Sequence, residues 1–147
     1  MMKKTIYTLV IMVASMLAMT SCTHNNGDIG LWFGTWHVEQ VDMDGSPIDG
    51  YMGNNFFQFQ STVFQLRYTD ELHTEMQTVG HWEDLGNEIN VTFPDERLVW
   101  VHLYGIDMSK DAVNRFKVES LSSKDLVLTL ASTDGHSYRY ILKKWGK

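Results

Sequence analysis

From Leu31 onward, apolar and polar side chains alternate with a period of two in one short segment after another, and no long stretch has helical spacing. In "VFQLRYTD", Phe64, Leu66 and Tyr68 fall on one face and Val63, Gln65 and Arg67 on the other. "FFQFQ" sets Phe57 and Phe59 against Gln58 and Gln60. "EINVTF" sets Ile89, Val91 and Phe93 against Asn90 and Thr92, and "DLVLTLA" sets Leu126, Leu128 and Leu130 against Val127 and Thr129. Each pattern predicts a strand with one buried side. The whole chain predicts strands over 33–43, 55–60, 63–69, 74–84, 88–93, 114–121, 125–131 and 136–145. "LVWVHLY" at 98–104 alternates poorly and fits a strand or a short helix, and "GIDMSKDAVN" after it reads as a loop.

The links carry turn chemistry: "MDGS", "DLGNE", "SSKD" and "STDG". Sequential strands joined by such turns are antiparallel neighbours. With no helix to cover them, they must stack as two sheets or close on themselves to hide their apolar sides and edges. Closure is the reading adopted: an all-β, single antiparallel up-and-down β-barrel of about eight strands. A barrel of that size either fills with side chains or holds one small ligand.

The start of the chain is different. "MMKK" precedes "TIYTLVIMVASMLAM", an apolar run of signal-peptide length, too short for a comfortable membrane span. Thr20 and Ser21 then lead into Cys22, the only cysteine. The run resembles the lipobox of bacterial lipoproteins, with Met19 where leucine is usual. That resemblance implies cleavage before Cys22 and a diacylglycerol anchor on its thiol. The expected organisation is a signal peptide over 1–21, an acylated tether over 22–30 and a barrel domain over 31–147.

Removal of the leader leaves 126 residues, enough for one domain. Lys3 and Lys4 leave with it, so the formal charge moves from −6 to −8. Such a balance repels phosphate backbones and anionic headgroups, which speaks against nucleic acid as a partner and leaves membrane attachment to the lipid. The tether "THNNGDIG" spans about 25 Å when extended, at ~3.3 Å per residue. It lacks the acidic run that often marks surface-displayed lipoproteins of the Bacteroidetes, so an outer-membrane anchor facing the periplasm is expected.

Gly34-Thr35-Trp36 in the first strand resembles the glycine-x-tryptophan signature of the lipocalin fold. "LVLTLASTDGHSYRYILKKW" resembles the closing hairpin of the lipocalin-like lipoproteins of Bacteroidetes. The resemblance covers most of residues 31–145. It implies that Trp36 seals one end of the barrel beneath a basic residue from the last strand, with Arg139 the candidate and Lys143 the substitute. The middle threonine-aspartate-tyrosine motif and the bridging disulfide of typical lipocalins are missing, so the expectation is a lipocalin-like domain.

Candidate chemistry is sparse. His37 with Glu39, and His81 with Glu83, each share a strand face about 7 Å apart, but no third metal ligand follows at a recognisable spacing, and the alternation points both pairs to solvent. "DMDGSPIDG" fails as a calcium loop, because the twelfth position from Asp42 is Gly53 where a bidentate glutamate is required. No Gly-x-Ser-x-Gly elbow exists, and Cys22 is committed to lipid. The reading is therefore of a protein that is not an enzyme and needs no metal or cofactor. An enzyme would need His102 and carboxylates converging inside the mouth.

The inward aromatic set is the strongest functional signal. Phe57, Phe59, Phe64, Tyr68, Met76, Trp82, Phe93, Tyr138 and Tyr140, with Leu66 and Val91, form the candidate lining for a small apolar ligand. The same rings can instead fill the barrel. The alternative function is a protein-interaction module, an inhibitor or accessory subunit of the cell envelope, using loops 44–55 and 105–114.

Overall fold

The computed structural model describes residues 29–146. The leader, Cys22 and the tether through Asp28 lie outside the described residues. The strands are β1 Gly34–Met43, β2 Ser46–Pro47, β3 Asn55–Gln60, β4 Val63–Thr69, β5 Glu75–Asp84, β6 Glu88–Thr92, β7 Val113–Leu121, β8 Asp125–Ala131 and β9 Ser137–Trp145. All eight strands predicted from alternation form, each end within one residue of its expected place. The brief β2 is an addition that folds back on the end of β1 through the Asp44-Gly45 turn, where both residues have positive φ, as a type I′ hairpin requires.

Each of the remaining strands pairs antiparallel with the next, and β1 pairs with β9, so the sheet closes into an eight-stranded barrel. Closure leaves no long edge exposed. A bulge between Val38 and Gln40 leaves Glu39 without a partner and resets the alternation, so that Val38 and Val41 both turn inward. A second bulge lies between Val118 and Ser120 of β7.

The two ends differ in their connections. At one end the strands are joined by tight turns at 61–62, 85–87 and 122–124, and the chain enters there through a 3₁₀ turn, Gly30–Trp32. At the other end lie residues 48–54, the turns 70–74 and 132–136, and the long connection 93–112.

That connection corrects two expectations. Residues 98–104 are neither strand nor helix apart from Leu98, the last residue of a 3₁₀ turn, Glu96–Leu98. Nor is 105–114 simply an exposed loop. Val101, Leu103, Ile106 and Met108 are buried in the same core as the strand residues, so the connection crosses the mouth as a lid. Apolar side chains spaced two apart met the burial requirement of a lid, and the resulting pattern resembles a poor strand.

Candidate ligand-binding site

At the tight-turn end Trp36 is wholly buried, and its Nε1 donates to the Trp32 carbonyl at 3.0 Å. Trp32 in turn packs on Phe59 and Trp82 and donates from Nε1 to Asp84 at 3.1 Å. The cation above the Trp36 ring is Lys144, 4.2 Å from the ring centroid. It is the cross-strand partner of Trp36 and donates from Nζ to the carbonyls of Leu31 and Phe33. Desolvation pulls its pKa below the ordinary lysine value.

Arg139, the expected cation, lies elsewhere: it faces outward, with Nε 2.9 Å from Glu119 and a guanidinium nitrogen 3.9 Å from Asp42. Lys143 also faces outward and pairs with Asp125. Alternation gives the reason, since Tyr138, Tyr140, Leu142 and Lys144 share the inward parity. Gly34 has φ +109, a backbone conformation that glycine adopts without the strain a side chain would bring, and it lies directly beneath the Lys144 side chain.

Of the nine candidate lining residues, seven come together as buried side chains: Phe57, Phe59, Phe64, Trp82, Phe93, Tyr138 and Tyr140. Phe57 on β3 meets Phe116 on β7, from the opposite wall, at a centroid distance of 6.2 Å, and Tyr140 on β9 at 5.8 Å. Phe64, Phe59 and Trp82 continue the stack at 5.1, 5.3 and 4.9 Å. Rings from opposing walls touch, so these side chains fill the barrel axis as a packed core.

Tyr68 and Met76 stand apart. They are paired across β4 and β5 at the open end, where Tyr68 is half-buried and Met76 is 39% exposed. Met76 is thus not part of an enclosed lining, because β5 runs past the packed core to the rim. It borders an outer groove of about 440 Å³ with Val79, Leu98 and Trp100.

The lid is pinned by polar side chains. Thr78, buried on the inward face of β5, accepts at Oγ1 from the amides of Trp100 and Val101 at 3.0 and 2.9 Å and donates to the Val101 carbonyl. Asn114 accepts from the Asp107 amide at 2.7 Å and donates to the Asp107 carbonyl at 2.7 Å. Tyr140 donates to the Tyr104 carbonyl, and burial raises its pKa far above the ordinary tyrosine value.

Between the lid and the segment 50–55 lies a hollow of about 440 Å³. Asn55 and Leu103 are its buried members, Tyr51, Asn54 and Tyr68 are half-buried, and Met52, His102 and Tyr104 stand at its exposed margin. The Tyr51 hydroxyl donates to the Val38 carbonyl at 2.7 Å, which holds its ring as a wall, with the Tyr104 ring 6.4 Å away at 79°. A neighbouring, more polar hollow of about 470 Å³ is bordered by Glu96, His102, Asp107, Ser109, Thr133 and Asp134.

Sequence reasoning missed Tyr51, Asn55, Leu103 and Tyr104. Asn55 did leave a signal, as the one polar residue at the inward parity of "NFFQFQ".

The two His–Glu pairs of the strands do not converge, whereas His102 borders the polar hollow with Glu96, Asp107 and Asp134. His81 and Glu83 are exposed on β5 and Glu39 sits in the bulge, while His37 packs beside Phe56 and Trp145 and contacts the Gly53 carbonyl at 2.6 Å. Among the described residues, no group of three His, Cys, Asp or Glu side chains could hold a metal ion. His102 is exposed at the margin of the lid.

A family model described as a lipocalin-like domain matches residues 17–144. Among solved structures, a lipocalin-like protein from Bacteroides uniformis is 21% identical, with a TM-score of 0.60, covering 79% of this chain and 100% of its own. A protein from Bacteroides eggerthii is also 21% identical, with a TM-score of 0.59, covering 78% of this chain and 99% of its own. No curated protein matches.

Proposed function

The chain belongs to the lipocalin-like domain family, and from that premise we infer that the protein is a lipid-anchored barrel of the bacterial cell envelope that holds a small apolar molecule at its open end and performs no chemistry on it. The observation that carries this reading is the aromatic-walled hollow between residues 50–55 and the lid, since the barrel axis itself is filled. Its size suits one small molecule, and its walls offer rings and a few polar atoms. The lining brings no nucleophile beside a base.

The anchor reading rests on "LAMTSC" and on the direction of chain entry. Ile29 leads into the latched end, opposite the mouth. The short, weakly acidic tether favours an outer-membrane anchor facing the periplasm.

Native mass spectrometry of protein gently extracted from membranes tests the reading. We expect the mass of a chain starting at Cys22 with acyl groups, together with a retained small-molecule adduct. A mature chain without lipid overturns the anchor, and the absence of any small-molecule adduct overturns the ligand-binding reading.

A second reading, an interaction module, is favoured by the exposed Leu98 and Trp100 beside Met76 and Val79. A stoichiometric envelope protein that co-purifies with the wild type and is lost on Trp100→Ser would decide for that reading.

A further inference from the structure

The four buried polar side chains of the barrel are Asp42, Asn55, Thr78 and Asn114. Three have visible structural work. Thr78 and Asn114 pin the lid, and Asp42 accepts from Gln40 at 2.7 Å and faces Arg139. Asn55 is different. It is 5% exposed, and its Nδ2 is, among the described residues, the one buried side-chain nitrogen or oxygen without a hydrogen-bond partner. A buried amide donor left unpaired is destabilising, whereas an apolar residue of the same shape would avoid that cost. The packed core does not need this carboxamide, and the residue borders the mouth hollow.

We propose that the mouth hollow binds a neutral, planar molecule bearing one hydrogen-bond acceptor, with the acceptor satisfied by the Asn55 carboxamide and the ring packed against the aromatic corner formed by Tyr51 and Tyr104. This rests on the ligand-binding reading above and specifies its chemistry. The terminal torsion of an asparagine has a broad, two-fold profile, and no acceptor holds Nδ2 where it is, so the carboxamide can turn its NH2 to an arriving oxygen. Planarity follows from the walls: Tyr51 is fixed by its bond to the Val38 carbonyl, Tyr104 meets it edge-on so that the two rings form one aromatic corner, and Tyr68 pairs with Asn55 across β3 and β4. A flat ring packs well against such a corner, and Met52 at the margin adapts to its outline. Neutrality follows from charge. The lining holds no Asp, Glu, Lys or Arg, and its one histidine, His102, stands exposed at the margin, so a carboxylate entering beside Leu103 would lose its hydration without gaining a buried countercharge.

The test uses the mature chain from residue 22 with Cys22→Ser, labelled with nitrogen-15, and three probes: 2-naphthamide, naphthalene and 2-naphthoate. We expect 2-naphthamide to shift the Asn55 side-chain NH2 resonances and the backbone amides of Tyr51 and Tyr104. It should bind about tenfold more tightly than naphthalene, the worth of one regained hydrogen bond, and more tightly than 2-naphthoate. Asn55→Leu should lose the preference for 2-naphthamide over naphthalene. Should that variant fail to fold, the Asn55 resonances of the wild type carry the same decision. Equal affinity for 2-naphthamide and naphthalene overturns the proposal, as does tighter binding of 2-naphthoate or the absence of binding. Shifts confined to Phe57, Phe116 and Tyr140 also overturn it, while leaving a ligand-binding barrel in place. The wider reading falls separately, on the absence of any adduct in the native mass spectrum.

Discussion

Lys144 illustrates how much one side chain closes. It covers the Trp36 ring and takes up carbonyls from the entering chain, so it joins β9, β1 and the 3₁₀ turn at once. Lys144→Met should cost about 1–2 kcal/mol in urea unfolding, from a cation–π contact and its hydrogen bonds. Arg139→Met, with its charge half in water, should cost less than about 1 kcal/mol. The reverse order would contradict the latch.

A second residue-scale prediction concerns the mouth. His136 contacts Asp44 at 2.6 Å, and Asp44 also accepts from the Ser137 amide. The Asp44 carboxylate raises the His136 pKa above 6.5, and the Ser137 amide and His136 hold the Asp44 carboxyl below 3.8. The histidine's share of the pair is therefore complete below its unfolded value of 6.5 and fades as pH rises through the folded pKa. The aspartate's share is complete above 3.8 and fades as pH falls through its lowered folded pKa. Both act together between roughly those two limits. Imidazole resonances followed by NMR should titrate above the ordinary histidine value in the wild type and return to it in Asp44→Asn. An unchanged titration in the variant would contradict the pairing.

Among elements, the lid separates what was legible in the chain from what was not. Strands announce themselves because every second side chain must be apolar, and β3, β4 and β8 begin and end where that alternation does. Lys144 was equally legible, since its parity matches Leu142, but an expectation centred on Arg139 passed it over. The lid keeps that period only in two fragments, Val101 with Leu103 and Ile106 with Met108. Its burial depends on partners 23 residues away, such as Thr78 bonding Val101, and that pairing leaves no local trace. Likewise the axis rings were readable as inward, yet whether they fill or line a cavity depends on contacts across the barrel, such as Phe57 with Phe116.

Thr78→Val removes the lid's main pin while keeping the shape of the side chain. We expect amide hydrogen exchange at Trp100 and Val101 to accelerate by at least about tenfold, because a buried bond set of this kind is worth 1–3 kcal/mol. Exchange in β7, β8 and β9 should stay near wild type. Uniform acceleration throughout would show that lid and barrel open as one unit.

At the scale of the whole molecule, a closed eight-stranded sheet packs its axis with aromatic side chains, latches the end where the chain enters and carries an aromatic-walled recess at the other. The lipocalin-like architecture is thereby retained, while the binding role is assigned to the mouth. A crystal structure of protein purified from its native membranes, with whatever it retains, tests this division most directly. The account predicts density for a small molecule between Tyr51, Tyr104 and Asn55, with Phe57, Phe116 and Tyr140 unmoved. Ligand density within the barrel axis, with those rings displaced to admit it, would contradict the account.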